Sequence, residues 1–199
     1  MFKLMVVTDR TRAKMPLPEL VRRAIDGGAD AIQMRERDLP GGELMRLGRE
    51  LRQVTRDAGA ALIVNHRADL AVALEADGLH LGWRSVGVPE ARQICGDKMR
   101  IGVSCHDGGQ LRFAEEAGAD YVLLGPVFPT PSKEGLVEAL GMEKFRELVK
   151  AARLPIVGVG GITPENFRDA LDAGAAGVAV ISAIMDADDP AAAARSLRT

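Results

Sequence analysis

One short pattern recurs along this 199-residue chain and limits what it can fold into. It appears as Gly28-Ala29-Asp30-Ala31-Ile32-Gln33, as Ala76-Asp77-Gly78-Leu79-His80-Leu81 and as Gly118-Ala119-Asp120-Tyr121-Val122-Leu123-Leu124, and again as Gly174-Ala175-Ala176-Gly177-Val178-Ala179-Val180. In each case a helical pattern ends at or near a small residue and a short apolar run follows. Glycine just past a helix adopts the left-handed cap without steric cost. A short apolar run suits a strand buried on both faces, as in a parallel sheet. One repeated helix-to-strand junction argues for many βα units and against two unlike domains.

Eight such runs can be counted, near Leu4–Thr8, Ala31–Arg35, Ala61–Val64, Gly78–Leu81, Arg100–Ser104, Tyr121–Leu124, Ile156–Val159 and Gly177–Ile181. Helical stretches separate them: Leu17–Gly27, Gly42–Ala58, Asp69–Glu75, Pro89–Cys95, Gln110–Ala117, Met142–Ala152 and Glu165–Ala173, with an Ala-rich last helix at Pro190–Arg195. Leu44, Leu47 and Leu51, followed by Val54, make an apolar stripe at helical spacing. The expected fold is α/β, a compact (β/α)8 TIM barrel, with residues 1–199 as one domain. An open doubly wound sheet is the competitor, but it rarely needs eight similar units.

Composition excludes several classes. A net charge of -2 leaves no basic field for nucleic acid. The apolar start, Met1 to Val7, stops at Thr8-Asp9, too short for a signal peptide, and no window approaches the ~18 apolar residues of a membrane span. Cys95 and Cys105 have no framework spacing and read as reduced thiols. The expectation is a soluble cytoplasmic protein with no nucleic-acid or membrane partner; a homodimer is compatible with a barrel of this size.

Barrel enzymes place their sites at the carboxyl ends of the strands. Pro155 to Asn166 reads as a strand running into Gly160-Gly161, with Thr163 as N-cap and Pro164 at the first helical position. Bare N–H groups there suit a phosphate, and the ends of strands seven and eight, Gly160-Gly161 and Ser182-Ala183, are where barrels usually bind one. Arg35 and Arg37 alternate at the end of strand two, so they form either an anion clamp or a salt-bridged rim with Glu36 turned outward. His106, after strand five, is either a general acid/base or a loop histidine beside an N-cap at Asp107. His80 reads as a hydrogen-bonded core histidine, His66 as a solvated one, and Cys105 as pointing away from its neighbour His106. Asn65 can donate and accept at a strand end, and Lys133 lies in a loop, Gly125 to Gly135, long enough to be a lid. Trp83-Arg84 either stacks on a ring or covers the mouth. No His/Cys/carboxylate grouping has zinc spacing, and no metal site is read from the residues.

These strand-end segments together resemble the thiamine phosphate synthase superfamily nearly end to end. The resemblance is carried by Gln33 to Arg37, Val64 to Ala71, Ala76 to Gly82, Gly102 to His106, Gly118 to Val122, Gly125 to Thr130, Pro155 to Thr163 and Ile181 to Ile184. It implies one of two activities on one fold. Synthases join a hydroxymethylpyrimidine diphosphate to a thiazole phosphate with Mg2+, held by an Asp after the strand-three Asn and by a Gln-Glu-Asp cluster after strand four. Here His66 and Trp83-Arg84-Ser85 stand at those places. TenI-type thiazole tautomerases lack that metal pair and shift a proton with a histidine that matches His106. Gln33, Thr130, Ser132 and Lys133 look synthase-like.

The missing carboxylates select the tautomerase: a cofactor-free aromatisation of a carboxythiazole phosphate, with Mg2+ entering only if the chain is a synthase. His106 would be the base and Arg35 would face the substrate carboxylate. Gln33, Arg37, Asn65, Thr130 and Lys133 would bind substrate, and the N–H groups of Gly160, Gly161, Ser182 and Ala183 would hold its phosphate. The alternatives are a synthase with an altered metal site and a non-catalytic sensor of thiazole or thiamine phosphate.

Overall fold

The computed structural model describes residues 1–82, 84–130 and 137–198. Eight parallel strands follow one another in chain order, β1 (Leu4–Val7), β2 (Ala31–Met34), β3 (Ala61–Asn65), β4 (Gly78–Leu81), β5 (Arg100–Cys105), β6 (Tyr121–Leu124), β7 (Ile156–Val159) and β8 (Gly177–Val180). Met5 pairs with both Ala31 and Ala179, so the sheet closes on itself. That closure excludes the doubly wound sheet. Around it run α1 (Leu17–Asp26), α2 (Gly41–Asp57), α3 (Ala68–Ala73), α4 (Val88–Cys95), α5 (Gly108–Glu116), α6 (Gly141–Ala151), α7 (Phe167–Asp172), α8 (Ser182–Met185) and α9 (Pro190–Ser196). Among the described residues no helix is long and apolar enough to cross a membrane.

Strand alternation divides the core in two. Met5, Val7, Ala31, Ile63, Tyr121, Leu123, Val157 and Ala179 fill the barrel interior with Phe2. The alternate strand residues, such as Val6, Ile32, Leu62 and Leu79, pack outward against the helices. Tyr121 fills the space left by Gly102, where a Cβ would lie 2.0 Å from the Tyr121 ring.

The repeated junction does more than end helices. Asp30 accepts from the N–H groups of Lys3 and Leu4, Asp77 from Leu62 and Asp120 from Ile101. Each aspartate before an even-numbered strand therefore clamps the start of the preceding odd one. Asp77 and Asp120 also bind Arg52 and Arg92, at 2.7 Å each. The fourth copy has Ala176, which donates its backbone N–H to Ile156. Gly28, Gly118 and Gly174 take positive φ as the cap requires, and Glu75 takes that conformation (φ 49) in the second copy.

The helix after β7 begins later than its sequence suggests. Thr163 and Pro164 belong to a turn, and α7 starts at Phe167. The Asn166 side chain accepts from Thr163 N–H (2.8 Å) and donates to the Gly161 carbonyl (2.8 Å), which holds the turn and delays the helix.

Candidate active site at the barrel mouth

Register brings the predicted residues to one end of the barrel. Met34 pairs with Val64, so Arg35 stands level with Asn65, which itself pairs with His80. Cys105 pairs with Leu124 and Leu124 with Gly158, which sets His106 beside Gly125 and Gly125 beside Val159. Val159 pairs with Ala179, so Gly160 and Gly161 leave their strand alongside the residues that lead into Ser182 and Ala183. The mouth thus carries cations on its β2–β3 side and backbone donors on its β7–β8 side.

The β2 end carries a pair of cations, and Asp9 and Glu36 act on Arg35 without forming an ion pair with it among the described residues. Arg35 is half-buried and Arg37 exposed, and among the described residues no carboxylate lies within ion-pair distance of either. Burial, then Arg37, lowers the Arg35 pKa from its ordinary value. Glu36 is not turned outward, so the salt-bridged rim is excluded. It is buried and accepts from Thr8 Oγ1 (2.5 Å) and from Arg10 N–H (3.0 Å), while Thr8 Oγ1 accepts from Arg35 N–H (3.0 Å). The clip holds Arg35 by its backbone and leaves the guanidinium unbonded.

His106 has a defined tautomer. Its Nδ1 donates to the Gly125 carbonyl, which leaves Nε2 with a lone pair, and its N–H is held by Gln110 Oε1 (3.0 Å). Asp107 caps α5 through Gln110 N–H at 2.8 Å, as its position suggested. Cys105 lies in the outer core with its thiol pushed up to about 12 by burial, which leaves it inert.

Gly160 (φ 95) and Gly161 (φ 66) are both left-handed. What approaches them closely is the chain itself. A Cβ on Gly160 would lie 2.6 Å from Pro126 Cβ, and one on Gly161 2.7 Å from Phe128 Cβ and from the Pro129 carbonyl. Val127 and Phe128 donate to the carbonyls of Val159 and Gly160 (2.9 and 3.0 Å), so the segment after β6 lies along the end of β7. The N–H groups of Gly160, Gly161, Ser182 and Ala183 have no acceptor among the described residues. Since α8 is a single turn, what this end of the barrel offers is open N–H donors and not a helix dipole.

Not every predicted residue sits at the mouth. Gln33 is 2% exposed inside the barrel, one pleat below Arg35, with its amide nitrogen 3.6 Å from Met5 Sδ. Thr130 closes the described part of its loop and is partly exposed. Ser132, Lys133 and the rest of residues 131–136, which include the end of the expected lid loop, lie outside the described residues, as does Trp83.

His66 is not a solvated histidine. It is half-buried with φ 63, and its ring packs where a Gly82 Cβ would be. Its Nδ1 is bonded to Ser85 Oγ, which also accepts from Gly82 N–H (3.0 Å). Ser85 Oγ thus ties the His66 ring to the connection after β4. Burial, then Arg37, Arg35 and Arg84, lowers the His66 pKa, so the ring is neutral near pH 7. Residues 66 and 85 meet across two connections, a contact that no local pattern announces.

His80 is the core histidine its sequence suggested, with Nε2 2.8 Å from Ser104 Oγ. Burial, with His66 and Arg35 adding to it, pushes its pKa down to about 3. Below the ordinary value of about 6.5 the unfolded chain binds a proton here that the folded chain refuses. Stability should therefore fall as pH drops from about 6.5 towards 3, by up to about 1.4 kcal/mol per pH unit. Urea unfolding of His80→Gln against the parent at pH 7 and pH 5 checks this. An acid loss equally steep in the variant would refute it.

The donor set does not suit the Mg2+ that the resemblance implies for synthases. Mg2+ wants near-octahedral oxygen ligands, one or two of them carboxylates. Of the nearby carboxylates, Glu36 is clipped, Asp9 Oδ1 binds Thr11 N–H (3.2 Å) and its hydroxyl (2.6 Å), and Asp38 pairs with Arg10 (2.6 Å). No group of three His, Cys, Asp or Glu residues among the described residues could hold a metal.

Comparison with known proteins bears on the two branches. The family model described as thiamine monophosphate synthase matches residues 4–184. A thiamine-phosphate synthase of Moorella thermoacetica is 49% identical over 193 residues, covering 97% of this chain and 92% of its own length. One from Roseiflexus sp. is 44% identical over 193 residues, covering 96% and 82%. The solved thiamine phosphate pyrophosphorylase of Pyrococcus furiosus superposes with TM-score 0.91 at 41% identity, over 98% of this chain and 93% of that one. These relatives overturn the tautomerase expectation, which gave the two departed metal-ligand positions more weight than identity across the whole barrel. With residues 4–184 matched and this level of identity, the chain belongs to the thiamine monophosphate synthase family.

Proposed function

We propose that this chain is a thiamine-phosphate synthase, a transferase that joins a pyrimidine-methyl diphosphate to a thiazole phosphate and releases diphosphate. The observation that carries this is the 49% identity over 193 residues to a protein of that name. The geometry supports it: two substrates that each bear phosphate need two anion sites across one mouth, and among the described residues this mouth has an arginine pair without an ion-paired carboxylate opposite a cluster of unbonded N–H groups.

In this reading the N–H groups of Gly160, Gly161, Ser182 and Ala183 hold the thiazole phosphate and point the ring nitrogen inward. Arg35 and Arg37, with Asn65 beside them, hold the diphosphate. Thr130, in the loop after β6, binds the same ligand. The methylene C–O bond breaks with its electron pair leaving on diphosphate, and the thiazole nitrogen supplies the pair for the new C–N bond. Negative charge grows on the leaving group, so cations fixed beside it stabilise the transition state more than the ground state. His106 Nε2 is an acceptor for a substrate N–H, and Gln33 forms the floor under the rings.

Mixing the purified protein with both precursors and following thiamine phosphate tests the reading. Formation of thiamine phosphate with stoichiometric diphosphate is the expected result. Binding of both precursors without coupling would refute it.

A further inference from the structure

Resting on the synthase reading, we infer that the β2–β4 side of the mouth binds diphosphate without a divalent cation, its charge being offset by guanidinium groups on this chain. Arg35 and Asn65 stand level on neighbouring strands, and the next connection brings Ser85 against His66. The two places where the family resemblance expects carboxylates therefore carry a neutral pair bonded to each other. That pair offers a cation no anionic oxygen, and Ser85 Oγ is already shared between Gly82 N–H and the imidazole.

Charge around the pair points the same way. Arg35 and Arg37 have no carboxylate partner among the described residues, and Arg84 adjoins Ser85 in the chain. All three act on His66 as positive charges. A dication placed between His66 and Ser85 would face these positive charges, and Asp9 and Glu36, the carboxylates that act on Arg35, are bonded to Thr11 and to Thr8 and Arg10. A diphosphate there would be attracted by the same cations, and planar guanidinium groups match its oxygens in pairs. Neutral side chains at 66 and 85, beside Arg35 and Arg37 that have no ion-paired carboxylate among the described residues, turn a cation-and-anion site into one for the anion alone.

Titration calorimetry of the full chain with inorganic pyrophosphate, in EDTA and then in excess Mg2+, tests this. Binding in EDTA is expected, weakened when Mg2+ sequesters the free anion. Arg37→Gln should weaken the EDTA binding about tenfold. Binding that appears only once Mg2+ is added would overturn the inference. A second arm follows Mn2+ by its paramagnetic resonance: no high-affinity site is expected in the parent, and a tight one in the parent would also overturn it. Adding His66→Asp and Ser85→Asp together should create such a site, but the parent measurements stand even if that variant does not fold. Pyrophosphate binding in EDTA by a protein that makes no thiamine phosphate would leave this site intact while refuting the synthase reading. Turnover that vanishes in EDTA would do the reverse.

Discussion

Arg35→Met is expected to lower kcat/KM for thiamine phosphate formation by about 10²–10³-fold, the usual effect of removing one fixed donor from a developing anion. The argument rests on how the residue is held. Thr8 Oγ1 takes its N–H, Glu36 closes the clip, and the guanidinium is left half-buried with no carboxylate partner among the described residues. A cation held in that state is disfavoured by burial and by Arg37, so it stands ready for an anionic ligand. Methionine keeps the apolar stem and removes the charge. The thermal midpoint should therefore stay level or rise while activity falls. Arg35→Lys should recover only part of the loss, since an ammonium cannot bond two oxygens in a plane. Steady-state kinetics alongside thermal melts decide it. A kcat/KM within threefold of the parent would remove Arg35 from the site.

Gly161→Ala should be the most damaging single methyl at the mouth. Its backbone is left-handed (φ 66), which costs an L-residue about 1–2 kcal/mol. Its Cβ would also press at 2.7 Å on Phe128 Cβ and the Pro129 carbonyl, a packing conflict of about 1–3 kcal/mol. Together these predict a loss of about 2–5 kcal/mol, or a fall of about 5–15 °C in Tm. Gly59 provides a matched control. Its φ is 68 and nothing lies within 4 Å of its Cβ position, so Gly59→Ala should show the backbone strain alone. Because the conflict moves the 126–129 segment away from β7, the KM for thiazole phosphate should rise with it. Equal destabilisation by the two substitutions in denaturant titrations would show that loop contact contributes nothing.

The legible parts of the site were those set by position along a strand. Arg35 and Arg37 share a side of β2, His106 follows β5 and Gly160-Gly161 follow β7, and in a barrel such positions converge on one rim. Contacts between distant connections were not legible. The His66–Ser85 bond, the Thr8–Glu36 clip and the seating of the 126–129 segment on Gly160 and Gly161 each join residues 19 or more positions apart. No periodicity encodes such pairs. Glu36 was misplaced for a related reason: alternation turns it away from Arg35, but its partner Thr8 lies on another strand and makes that side an interior. The start of α7 was missed because Thr163 and Pro164 carry a helix-opening signature, which the Asn166 side chain overrides by closing a turn first. The activity was misjudged differently, by letting two positions outweigh the rest of the chain.

By itself the sequence determined the barrel. Eight apolar runs separated by helices leave few ways to bury every strand on both faces, and a similar small-residue junction before β2, β4, β6 and β8 restarts the same unit. The tertiary structure decided which polar groups at the mouth are already used and which remain open. Glu36, Ser85 and His106 Nδ1 are spent on neighbours, whereas the Arg35 guanidinium and the N–H groups of Gly160 and Gly161 have no hydrogen-bond partner among the described residues. A side chain's type is local, but whether its hydrogen-bonding capacity is satisfied depends on what the closed sheet brings beside it.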